Sequence, residues 1–206
     1  MSTVMENKKK KSEAPFEVKQ ALMGFDMTEL DEVLLRYVSF LNTQFPIHLI
    51  YGMYVVPSFE LYKALLFSDS EEMEGIYLLN ENLVQQMKRL YDKVKAERKL
   101  PKFQCTASEG DPLEELLNWA EEINPDLVVI GRREKPNSFG ILPKNLVRKA
   151  EANVLIIPEK PTEQLKTILV PIDFSENSAR ALQEAARLVS QMKTPARIIA
   201  AHVFSM

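Results

Sequence analysis

The chain has 206 residues, of which 46% are apolar and 27% are charged, with a net charge of −3. This length allows one complete domain and part of a second, and the weak negative charge argues against a broad nucleic-acid-binding surface. Apolar runs such as 127–130 are far shorter than the roughly 20 residues of a membrane span, and the first residues lack the apolar core of a signal peptide. The lone Cys105 excludes an internal disulfide. These features predict a cytoplasmic protein with no nucleic-acid or membrane partner.

Short apolar stretches alternate with amphipathic ones after a polar lead-in at 1–18, which predicts a disordered tail. The apolar stretches predict strands, and the others carry apolar residues at helical spacing. In chain order the predicted elements are strand 18–25, helix 30–45, strand 47–56, helix 71–99, strand 103–108, helix 113–123, strand 127–130, helix 145–150 and strand 153–158. The alternation predicts an α/β fold with a doubly wound, five-stranded parallel sheet. Any ligand is expected at the carboxyl ends of the strands.

The pattern starts again after a linker at 159–164, with strand 166–172, helix 178–191 and strand 196–203. An offset of 147 residues aligns this stretch with the beginning of the chain, pairing Leu22 with Leu169, Asp26 with Asp173 and Thr28 with Ser175. A repeat of this length indicates tandem duplication of a domain. We therefore predict a complete domain at 19–160, followed at 161–206 by a linker and the first β-α-β unit of a second domain. Because this copy stops after its second strand, we expect either a truncated part of a longer tandem protein or packing against another copy.

Several motifs resemble those of the universal stress protein (UspA-like) family. The matching stretches are TILVPIDFSENSARAL at 167–182 and AHV at 201–203 in the second copy, and GDP at 110–112, DLVVIG at 126–131 and VLIIP at 154–158 in the first. They resemble, respectively, the start of a family domain, the end of its second strand, the exit of its third strand, its fourth strand and its last strand. The resemblance spans about 19–206 and implies an adenine-nucleotide α-hydrolase-like fold, of the tandem type with an incomplete second domain.

The resemblance implies an adenine-nucleotide site in some members of the family and none in others. In binding members an acid after the first strand lies near the adenosine. The phosphates lie against Gly-x-x-Gly after the fourth strand and a Gly-Ser or Gly-Thr further on, where backbone N–H groups can approach an anion. Asp26 and Gly131 match this pattern, but Glu134 and Lys144-Asn145 replace the remaining glycines. The vestigial nucleotide site would comprise Asp26, Met53, Ile130, Gly131, Lys144 and Asn145.

Two functions remain open at this point. The favoured one is a non-catalytic stress-response or regulatory module that acts through dimerisation or partner binding, without tight ATP binding and without a cofactor. The alternative is a protein that binds ATP or AMP with a rearranged phosphate loop, with or without slow ATPase activity. Gly140, Lys144, Arg132 and Arg133 would then compensate for the missing glycines. A homodimer is predicted through the edge strand Val154–Ile157 and the partial second repeat, because exposed strand edges recruit partners.

Other chemistry has little support in the sequence. His48 and His202 lie on predicted strands without acidic or cysteine neighbours at metal-ligand spacing. Cys105 has no second cysteine, so a buried thiol is favoured over a nucleophile. Asp26 could instead accept backbone N–H groups in its strand–helix turn, and Ser175 could instead cap its helix.

Overall fold

The computed structural model describes residues 16–57, 72–133 and 141–204, with only the backbone at 72–79 and 141. The first fifteen residues of the predicted tail, and the residues Glu134 and Gly140, lie outside the described residues. The strands and helices are β1 Val18–Phe25, α1 Glu29–Gln44, β2 Ile47–Val56, α2 Glu72–Glu97, β3 Lys102–Glu109, α3 Pro112–Ile123, β4 Leu127–Arg132, α4 Ile141–Lys149, β5 Asn153–Pro158, β6 Thr167–Pro171, α5 Glu176–Gln191 and β7 Arg197–Ala201.

The first five strands form one parallel sheet in the order β3-β2-β1-β4-β5. The prediction of a doubly wound α/β fold is therefore confirmed. The strand order reverses between β1 and β4, which lie side by side in the centre of the sheet. This position is the topological switch point, where an open α/β sheet leaves a crevice beyond its carboxyl ends.

One core cluster joins the central strands to α3 and α4. Leu22 of β1 is fully buried there together with Val128 of β4, Leu116 of α3 and Leu146 of α4. β4 is buried at three consecutive residues, as expected for a parallel strand that is covered on both faces. Truncation of a leucine in such a core costs about 2–5 kcal/mol, so this cluster holds the strand ends in place.

The chain divides into two compact units. One comprises Val18–Asn42 and Ile47–Thr162, and the other contains residues 163–204 together with 16–17 and 43–46. In the second unit β6 and β7 pair in parallel and α5 lies between them along the chain, which gives the predicted partial repeat a β-α-β structure. Leu169 is 64% exposed in this unit, whereas its aligned partner Leu22 is 0% exposed in the first.

The turns after β1 and β6 have the same geometry. Met27 and Phe174, which the offset of 147 aligns, adopt left-handed backbone angles with φ of 57° and 64°. In each turn an aspartate precedes this residue and a hydroxyl residue follows it, and both aspartates accept the backbone N–H of that hydroxyl residue, Thr28 or Ser175. The repeated sequence thus produces a repeated local structure, because short aspartate side chains readily close such turns.

The structure corrects the start of one predicted helix. α4 begins at Ile141 rather than Asn145, so that Pro143 lies inside its first turn. Proline is tolerated there because the first N–H groups of a helix have no intrahelical acceptor. The charged and turn-forming residues that precede Pro143 predict a loop up to that residue, whereas the helix already includes it.

Candidate functional site

Asp26 lies directly after β1, at the switch point, and its carboxylate is already paired. Its Oδ1 accepts hydrogen bonds from the backbone N–H of Thr28 at 3.1 Å and from the Thr28 hydroxyl. Its Oδ2 accepts a hydrogen bond from Nη2 of Arg133 at 2.9 Å. Arg133, which the nucleotide hypothesis assigned to a phosphate, follows β4 and instead neutralises this acid. Both side chains remain nearly half exposed, so the pair adds at most about 1 kcal/mol.

Gly131 of β4 lies beneath the first turn of α1. A Cβ atom at this position would lie 2.4 Å from Cδ2 and 2.7 Å from Cγ of Leu30. Leu30 is itself buried, with 7% of its surface exposed. Carbon atoms that are not bonded pack at about 3.5–4.0 Å, so any side chain at Gly131 would collide with this leucine. The glycine therefore has a packing role that requires no phosphate.

Met53 and Ile130 contribute their side chains to the core. They are 1% and 3% exposed and belong to the cluster that includes Leu146 of α4. Met53 is aligned with Gly24 of β1 in the sheet, and a Cβ at Gly24 would touch Ile130 at 3.4 Å. The two residues are thus neighbours across β1, but they could offer a ligand only main-chain atoms.

Lys144 and Asn145 lie in the first half of α4, where Lys144 is exposed and Asn145 is partly buried. A cavity of about 240 Å³ lies elsewhere in the first unit, between α2 and β3. It is lined by Asn80, Glu81, Val84, Gln85, Lys88, Thr106 and Ala107. None of the residues assigned to the vestigial site lines this cavity.

Asp31 is a buried acid in the first turn of α1. Its spacing of three residues after Thr28 resembles a capping box, in which the side chain of each residue accepts the backbone N–H of the other. The structure shows neither bond: the Thr28 hydroxyl oxygen accepts the N–H of Leu30 at 3.3 Å, and the Asp31 N–H donates to the Thr28 carbonyl at 3.1 Å. Its side chain, however, reaches further back, and Oδ1 accepts the backbone N–H of Asp26 at 3.0 Å. The carboxyl is 1% exposed, and its Oδ2 has no hydrogen-bond partner among the described residues.

Burial is the main reason that the pKa of Asp31 is raised from 3.8 to about 6. Hydrogen bonds from the backbone N–H groups of Asp26 and Met27 oppose this shift, while the negative charge of Asp26 adds to it. The aligned position in the second copy is Ser178, a neutral residue. The sequence signal for Asp31 is this difference between the two copies: an acid in the first stands where the second has a neutral serine.

Asp173 occupies in the second unit the position that Asp26 has in the first. Hydrogen bonds from the side chain and backbone of Ser175, and from Ser178, hold the pKa of the exposed Asp173 down at about 2. Ser175 also caps α5, since its hydroxyl oxygen accepts the N–H of Ser178 at 3.2 Å. The capping interpretation of Ser175 is confirmed.

A model described as the universal stress protein family matches residues 17–158 and 164–206. The chain therefore belongs to the universal stress protein family, as its motifs indicated. A search of curated proteins finds no match.

Among the described residues, no helix is long and apolar enough to cross a membrane. No group of three or more His, Cys, Asp or Glu side chains in this described part could hold a metal ion.

Solved structures of the family share the fold at low sequence identity. A universal stress protein from Archaeoglobus fulgidus is 18% identical, with a TM-score of 0.61 over 89% of this chain and 65% of that one. UspA from Lactobacillus plantarum is also 18% identical, with a TM-score of 0.52 over 70% of this chain and 99% of that one. A universal stress protein in complex with cAMP is 15% identical, with a TM-score of 0.49 over 69% of this chain and 98% of that one.

Proposed function

We propose that this chain is a non-catalytic stress-response or regulatory module of the cytoplasm, which acts through dimerisation or partner binding and does not hold an adenine nucleotide tightly. Its complete domain would be residues 19–160, and residues 161–206 would form the linker and the first unit of a second domain. The observation that carries the proposal is the contact between Leu30 and Gly131, because this leucine fills the space above the one matching glycine.

Two further features support weak or absent nucleotide binding. The acid expected near an adenosine, Asp26, is neutralised by Arg133 of the same chain, so a nucleotide would have to compete with an existing ion pair. The positions expected to supply phosphate-binding glycine and serine carry Lys144 and Asn145 on a helix. Both residues lie past the first three positions of α4, where backbone N–H groups bond to helix carbonyls, so these N–H groups do not offer a phosphate the contact that a glycine-rich loop provides.

The nucleotide content of the purified protein tests this proposal. Heat denaturation releases any bound nucleotide, and chromatography of the supernatant measures its amount per chain. We expect no stoichiometric release of ATP or AMP. Stoichiometric release would favour the second candidate, a nucleotide-binding protein with a rearranged loop. Lys144 gives that candidate its support, since an exposed cation near a helix N-terminus can attract a phosphate.

The edge strand β5 supports the homodimer. It terminates the sheet and pairs with β4 on one side, so within the described residues its other edge is available to a partner. In the partial second repeat, Leu169 and Ile199 form a parallel cross-strand pair and are 64% and 39% exposed. Apolar side chains at this exposure are suited to a protein interface.

Light scattering at tens of micromolar protein tests the dimer, since contacts of micromolar affinity are populated there. We expect a mass of twice 23.6 kDa and its reduction in Leu155→Lys, because a lysine blocks edge-to-edge pairing. Val147→Lys is the control for the added charge, since Val147 lies outside β5 and is 53% exposed on α4. A monomer mass for the native chain, or an unchanged dimer in Leu155→Lys, would count against pairing through β5.

A further inference from the structure

The first turn of α1 contains a carboxyl group that is both buried and incompletely hydrogen-bonded. Oδ1 of Asp31 accepts the N–H of Asp26, but Oδ2 has no partner among the described residues although the side chain is 1% exposed. The adjacent residue, Leu30, is the one that covers Gly131. The turn that closes the carboxyl end of the sheet is thus the same turn that holds the unsatisfied acid.

Among the described residues, the charged groups around this turn do not compensate the Asp31 carboxylate. The charged group that acts on Asp31 is Asp26, which is also an acid and raises the pKa of Asp31, and Arg133, which follows β4, is bound to Asp26. On α1 itself, Glu32 is paired with Arg36 and with Lys93 of α2. The remaining acid of this turn, Glu29, is exposed. The cations near this turn are thus paired with acids other than Asp31: Arg133 with Asp26, and Arg36 and Lys93 with Glu32.

We propose that the β1–α1 turn is a proton-operated latch. When Asp31 carries a proton, the turn is closed and Leu30 covers Gly131. When Asp31 is ionised, the first turn of α1 opens to solvent more often and exposes the carboxyl ends of β1 and β4. The latch would operate whether or not a nucleotide binds.

The sign of the effect follows from linkage between proton binding and opening. In the closed turn the pKa of Asp31 is raised to about 6, whereas an open, hydrated turn returns it towards 3.8. The stability of the closed turn is therefore fully present below about pH 4 and decreases as the pH rises to about 6. Because the pKa of Asp31 differs by about 2 between the closed and the open turn, the opening equilibrium changes by about 100-fold. Acidification closes the latch, and above about pH 7 the equilibrium no longer changes.

The second copy offers an internal comparison. Ser178 takes the position of Asp31, and its hydroxyl donates to the Ser175 carbonyl at 3.0 Å. A neutral, satisfied side chain at this position gives the turn after β6 no such dependence on protonation.

Amide hydrogen exchange measured by NMR between about pH 4 and 7 tests the latch, after correction for the intrinsic exchange rates. The Asp26 amide, which donates to Asp31, is the reporter. We expect its opening equilibrium to rise by about 100-fold over this range. The amides of Asn124 and Ala150, which donate to helix carbonyls of α3 and α4, serve as internal controls and should stay level.

Three variants separate the latch from a general effect of pH. Asp31→Asn and Asp31→Ser should make the exchange of the Asp26 amide independent of pH, whereas Glu29→Gln, in the same turn, should leave the native rise intact. A flat profile for the native chain, or an unchanged rise in Asp31→Asn, would overturn the proposal. If either Asp31 variant fails to fold, the ¹³C titration of the native Asp31 carboxyl decides. A midpoint near pH 6 supports the latch, and one near pH 4 refutes it.

Discussion

Substitution of Gly131 by alanine tests the packing role of this glycine. The new Cβ would lie 2.4 Å from Cδ2 of Leu30, more than 1 Å inside the usual contact distance. Leu30 must therefore move, and overpacking of this kind costs about 1–3 kcal/mol. Gly24→Ala is the matched control, because a Cβ at Gly24 meets Ile130 at 3.4 Å, an ordinary contact distance. We expect the control to change the free energy of unfolding by less than about 1 kcal/mol.

A double-mutant cycle assigns the cost to Leu30. Leu30→Ala alone should destabilise the protein by about 2–5 kcal/mol, since Leu30 is 7% exposed. In the double variant the alanine at 131 enters the vacated space, so the two costs should not add, with a coupling energy of about 0.5–3 kcal/mol. Urea unfolding followed by circular dichroism measures all four proteins. Additivity within about 0.5 kcal/mol would refute the account of Gly131.

Three further predictions concern other contacts of the first unit. Asp31→Asn should stabilise the protein relative to the native chain increasingly as the pH rises from about 4 to 7, by about 3 kcal/mol in total, and urea unfolding at both pH values checks this. An equal effect at both values would contradict burial of the acid. Asp111→Ala should cost about 1 kcal/mol, because Asp111 accepts two backbone N–H groups at the start of α3; Asp111→Asn should restore most of this. Tyr91→Phe should cost about 1–2 kcal/mol, since the buried hydroxyl donates to the Pro101 carbonyl, and an unchanged melting temperature would show that this bond contributes nothing.

The strands could be predicted from the sequence because the apolar runs that become buried end at turn-forming residues. β1, β2 and β5 begin and end where the apolar runs begin and end, at Val18–Phe25, Ile47–Val56 and Asn153–Pro158. β2 and β5 are rich in β-branched or aromatic residues, and each of the three runs ends at or next to a turn former or a proline, which is typical of strands. α4 was harder to place, because Pro143 is compatible both with a loop and with a first helical turn.

The candidate site could be predicted only as a set of positions. Asp26 and Gly131 were assigned by their motifs, but the partners that determine their chemistry depend on how the strands are placed side by side. Arg133 reaches Asp26 across 107 positions of the chain, and Leu30 reaches Gly131 from a different element. Neither contact follows from local spacing. The burial of Asp31 was missed for the same reason, since helical periodicity does not show which side chains a neighbouring strand covers.

Direct titration of the native protein with ATP and with AMP, in the presence of magnesium and followed by calorimetry, tests the central claim. With Leu30 over Gly131 and Arg133 on Asp26, the account predicts no saturable binding up to a nucleotide concentration of about 1 mM. Saturable binding of one nucleotide per chain within this concentration range would contradict it.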